Sequence, residues 1–103
     1  MINAEVKDKE ELKKLCVENE LVAVEFMATW CSPWKIMAPV FEELSYKYTN
    51  VTFLRVNIDE VDTKEEGIRS IPAFQFYKGG ERVAGFVGCD AQRLREEVER
   101  LAS

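Results

Sequence analysis

A chain of 103 residues, 47% hydrophobic and 32% charged, is long enough for one domain with its own core and too apolar to be disordered. A net charge of −5 with no run of Lys or Arg argues against nucleic acid and anionic membranes as partners. The absence of histidine removes Cys-His and Ser-His-Asp catalysis and the commonest zinc ligand sets. No apolar run approaches the ~20 residues that span a bilayer.

Residues 1–6 read as a short first strand, and Met1–Glu5 lack the basic and apolar regions of a signal peptide. Asp8 followed by Glu11 resembles a capping box. Leu12, Leu15 and Cys16 then face inward on a helix ending near Asn19, with Cys16 a small buried hydrophobe. Leu21–Met27 is apolar on both faces apart from Glu25, which predicts a central strand covered on both sides.

Ile36, Met37, Val40, Phe41, Leu44 and Tyr48 recur at helical spacing, so a helix runs from about Pro33 to Tyr48, kinked at Pro39. Cys31 therefore stands where a strand ends and a helix begins. Amide groups at a helix start lack intrahelical partners, and they favour a thiolate, the reactive form of cysteine. Pro33 suits the first turn because its missing N–H is not needed there.

Val51–Ile58 is the next strand. The acidic residues 59–67 read as a short helix with Gly67 near its C-terminus. Residues 73–77 and 82–87 flank Lys78-Gly79-Gly80-Glu81, a hairpin signal. Asp90 caps a last helix whose Leu94, Val98 and Leu101 face inward. The order is βαβαβαββα, a mixed sheet with helices on both faces, which fits several α/β folds. Three cysteines without regular spacing do not make a secreted disulfide framework, so a reducing compartment, the cytoplasm, is expected.

Trp30-Cys31-x-Pro33-x-Lys35 after a strand resembles the active-site motif of the thioredoxin family. Ser70-Ile71-Pro72-Ala73-Phe74 is similar to that family's loop presenting a cis-proline opposite the reactive cysteine, and Val87-Gly88 resembles its last substrate-binding loop. The resemblance implies an α/β thioredoxin fold over residues 1–103, with a central mixed β-sheet flanked on both faces by helices. It also implies an apolar groove around Cys31, lined by Trp30, Ser32, Pro33, Trp34, Ile71, Pro72 and Gly88, that holds an extended substrate chain by strand addition. Lys35 matches the motif and is otherwise a solvated charge.

Two departures qualify the resemblance. The family has Gly after the first cysteine and a second cysteine three residues on, where this chain has Ser32 and Trp34. In the family the first cysteine attacks a substrate disulfide and the second resolves the mixed disulfide. Trp34 cannot do so, and a dithiol cycle between positions 31 and 34 is excluded. The tryptophan either reshapes recognition or is a substitution without gain, and its indole could lie over the Cys31 sulfur. Glu25 falls where the family has a buried acid that moves protons. It either keeps that role or persists as a structural acid, and burial would raise its pKa. Cys89, beside Gly88, is either a resolving thiol for Cys31 or a loop cysteine without a role.

The leading expectation is a monothiol protein disulfide oxidoreductase, acting on protein disulfides through Cys31 with an external thiol such as glutathione completing the turnover. It needs no cofactor or metal and works as a monomer. The alternative is a redox-inactive module that holds a partner peptide in the same groove. A cluster-sharing dimer is a third reading, weakened because iron–sulfur clusters normally take four cysteines.

Overall fold

The computed structural model describes all 103 residues. Its elements are β1 (Ala4–Glu5), α1 (Lys9–Glu18), β2 (Leu21–Met27), α2 (Ser32–Lys47), β3 (Thr52–Asn57), β4 (Ala73–Lys78), β5 (Glu81–Val87) and α3 (Ala91–Ala102). The five strands form one sheet in the order β1-β3-β2-β4-β5. β1 and β2 run parallel to β3, while β2–β4 and β4–β5 are antiparallel.

The apolar strand at 21–27 takes the middle of the sheet. Val22, Val24 and Phe26 point to one face, where they pack with Leu54 and Val56 beneath Leu12 and Cys16 of α1. Ala23 points to the other, with Phe53, Phe74 and Phe76 under Met37, Phe41 and Leu44 of α2 and Leu94 and Val98 of α3. Phe41 meets Phe53 edge-on at 5.2 Å between ring centroids, and Phe74 stacks on Phe86 at 5.1 Å. Each fully buried Phe contributes about 1.5–3 kcal/mol of transfer free energy.

The caps form where the sequence suggests. Asp8 Oδ1 accepts the Glu11 amide at 2.8 Å, while the Glu11 carboxylate reaches back to the Lys7 amide rather than to Asp8 itself. Asp90 Oδ1 accepts the Arg93 amide at 3.0 Å. Gly79 and Gly80 both have positive φ, 61° and 85°, which suits the tight hairpin turn between β4 and β5. Pro39 lies within α2 without ending it. Only one i→i−4 bond is lost there, on the exposed side of the helix.

The expected helix at 59–67 does not form; residues 58–60 and 64–67 are turns. Short polar side chains bond the backbone two residues on: Asn57 Oδ1 accepts from the Asp59 amide at 2.9 Å, and Asp62 Oδ1 from that of Lys64 at 3.1 Å. These local bonds compete with a helix ladder and fix turns instead. The observed order is therefore βαβαβββα.

Candidate active site at the start of the second helix

Cys31 is the N-cap of α2, with extended φ and ψ of −85° and 103°. Its Sγ accepts the Trp34 backbone amide at 3.4 Å. Its own amide donates to Ala28 O at 3.0 Å, which closes the turn from β2 into the helix. The sulfur thus stands at the amide end of a 16-residue helix, where anionic charge is favoured.

The loop before β4 closes the other side. The Ile71–Pro72 peptide bond is cis, and the Cys31 thiol points at Ile71 O, 3.7 Å away. The Gly88 amide donates to Pro72 O at 2.8 Å, tying the loop after β5 to the same rim; its φ of 108° suits glycine. Cys89 next to it donates its thiol to Pro33 O at 3.0 Å. Trp30, Ser32 and Pro33 are exposed, Trp34, Ile71 and Gly88 are half-buried, and Pro72 is buried. Trp30 is 66% exposed and anchored by an Nε1–H to Asp59 bond of 2.8 Å. Ile36, further along α2, is 68% exposed. Cys31 itself keeps only 4% of its surface, so a reagent must be admitted at the rim to reach it.

Trp34 turns its side chain inward. The Arg55 guanidinium lies 5.5 Å from the centre of its ring, and Arg55 Nε donates to Glu25 Oε1 at 2.7 Å. Glu25 is fully buried. Its Oε2 and the Trp34 Nε1 are both buried without a partner at normal hydrogen-bond geometry, yet the indole N–H is near enough to the carboxyl to lower its pKa. Burial is the largest influence on Glu25 and raises its pKa. Arg55 and the indole pull it down in part, and Glu42 pushes it up.

Arg55 and Asp59 are missed by sequence reasoning. Glu25 and Arg55 are register partners on the parallel strands β2 and β3. Each is the only charged residue of its strand; this coincidence was the available signal. Asp59 offered none, because it stands in a run of acids.

Raised carboxyl pKa values carry a sign for stability. The folded state holds the Glu25 proton more tightly than the unfolded chain does. Its contribution is full below the ordinary glutamate range and is lost as pH rises through the folded pKa. Wild type should therefore lose thermal stability relative to Glu25→Gln as pH is raised from about 4 to 8. Melting curves of both proteins across that range test this, and parallel curves would contradict it.

A separate concavity lies away from this rim. It measures about 1140 Å³ between α1, residues 65–70 and the β4–β5 hairpin, and includes none of Trp30–Trp34, Ile71, Pro72 or Gly88. Cys16 lines it, but burial pushes that thiol up to about 11, which leaves little thiolate at neutral pH. Tyr77 is likewise shifted upward by burial. With iodoacetamide at pH 8, Cys16 should stay unmodified in the folded protein while Cys31 and the exposed Cys89 react. Mass mapping of the three peptides checks this.

A helix-capping cysteine opposed by a cis-proline loop, on a mixed five-stranded sheet, defines the class of thiol–disulfide oxidoreductases built on this fold. The family model described as Thioredoxin matches residues 3–100, and the chain belongs to the thioredoxin family. It is 39% identical over 100 residues to Thioredoxin 1 of Plasmodium falciparum, covering 95% of this chain and 96% of that one. It is 36% identical over 97 residues to Thioredoxin-1 of Schizosaccharomyces pombe, covering 92% and 94%. A solved structure of Plasmodium falciparum thioredoxin superposes with a TM-score of 0.91 at 38% identity, covering 94% of this chain and 97% of that one. Thioredoxin-family proteins act on protein disulfides. No helix of this chain is long and apolar enough to cross a membrane.

Proposed function

We propose that this protein is a monothiol thioredoxin-family oxidoreductase, with Cys31 as the nucleophile. The observation that supports this reading is the Cys31 sulfur itself, held by the Trp34 amide at 3.4 Å and faced by the Ile71–Pro72 loop. The Cys31 thiolate attacks one sulfur of a substrate disulfide, and the other substrate sulfur departs as a thiolate that takes up a proton. An external thiol such as glutathione then attacks Cys31 Sγ and frees the second substrate thiol. A further glutathione regenerates Cys31 and leaves oxidised glutathione. Cys89, whose thiol contacts Pro33 O, is an internal candidate for the first of these resolving attacks and would give a Cys31–Cys89 disulfide. Glu25 is the candidate acid–base group. Trp30, Ser32, Pro33, Trp34, Ile71, Pro72 and Gly88 form the substrate groove. The protein acts as a monomer in a reducing compartment such as the cytoplasm.

Insulin reduction tests the reading. Activity should depend on glutathione and be near zero with NADPH and thioredoxin reductase alone. No activity with either would overturn it.

One observation favours a second reading, a redox-inactive module that holds a peptide. Cys31 is almost covered, while Trp30 next to it in the chain is widely exposed. Capture of a partner that survives Cys31→Ser and is lost on Trp30→Ala would support that reading over the first.

A further inference from the structure

Trp34 touches two parts of the site at once. Its backbone amide lies on the Cys31 sulfur, and its indole N–H faces the buried Glu25 carboxyl while its ring lies against Arg55. Glu25 Oε2 and Trp34 Nε1 are both buried, and neither has a hydrogen-bond partner, a state that buried polar atoms rarely keep. The second cysteine of the family motif has thus been replaced by a side chain that reaches from the helix start into the sheet.

We propose that Trp34 is a positioning residue that couples the charge of Glu25 to the reactivity of Cys31. An ionised Glu25 holds the indole N–H and so fixes the first turn of α2 with its amide on the sulfur. A protonated Glu25 accepts more weakly, and the turn and its amide loosen together. The groups facing Glu25 are few: Arg55 from β3, Glu42 and Trp34 from α2, and on β4 the apolar Phe74, its register partner. Trp34 is the one among them that also touches Cys31. The inference rests on Cys31 being the reactive thiol, but its test does not depend on turnover.

The test follows Trp34 in the intact protein by nitrogen–proton NMR across pH, with Trp34→Phe assigning the indole signal. Both the indole and the backbone amide of Trp34 should shift with one midpoint above the ordinary glutamate range, and both shifts should vanish in Glu25→Gln. The Cys31 alkylation rate should carry the same step, about three- to tenfold, the size expected for one hydrogen bond. Trp34→Phe keeps the ring and the backbone amide but lacks the donor, and should remove the step. Two Trp34 signals that ignore Glu25, or a step that persists in Trp34→Phe, would overturn the coupling. Cys31 that never alkylates would instead defeat the exchange reading, and the two Trp34 signals would still decide the coupling.

Discussion

Trp34→Cys should convert the protein into a dithiol reductase that no longer needs glutathione. Residues three apart on a helix bring their Cβ atoms to about 5–6 Å, and Cα separations of about 4.4–6.8 Å accommodate a disulfide. Cys31 caps the helix and residue 34 lies in its first turn, so the new thiol would face the mixed disulfide directly. A thiol held in the same turn acts at an effective concentration of at least about millimolar. The expected result is insulin reduction driven by NADPH and thioredoxin reductase, from near zero to a rate at least about tenfold above background. Stability should fall in the same variant. Losing the indole removes its contact with the Arg55 guanidinium and leaves a void over Glu25, at a cost of about 1–3 kcal/mol. Recovery of activity with a lowered melting temperature is therefore the predicted pair. A stable variant with no activity would mean that Glu25 and the groove no longer support the cycle.

Cys31→Ser should abolish mixed-disulfide formation completely while leaving the fold intact. Serine is among the preferred N-cap residues, and its hydroxyl accepts an amide bond better than a thiol does. The Trp34 amide keeps a partner, and the helix start should be as stable as before or gain about 0.5–1 kcal/mol. Loss of trapped partners from a cell extract, with an unchanged or raised melting temperature, separates chemistry from folding. Trapping at an undiminished level would move the reactive thiol to Cys89, the other cysteine near the rim.

Most of the scaffold was legible because its signals are local. Leu21–Met27 matches the observed strand at both ends, and Asp8, Asp90 and Gly79-Gly80 mark a cap, a cap and a turn by their own chemistry. The segment 59–67 failed because acidic residues suit a helix start in the abstract, whereas Asn57 and Asp62 spent their side chains on turn bonds. At the site, Cys31 was legible from its place between strand and helix. The direction of the Trp34 side chain was not. Lying over the sulfur and reaching inward are both open to a residue in the first turn. The inward course follows from a Glu25–Arg55 pair created by the register of two strands far apart in the chain.

β2 has hydrogen-bonded neighbours along both edges and helices over both faces. Its amides should be among the last in the molecule to exchange with deuterium, because opening there requires the whole domain to come apart. The acid embedded in that strand cannot wait for such events to change its charge. Its one charged hydrogen-bond partner, Arg55, is 17% exposed and is the side chain that links the buried carboxylate to the surface.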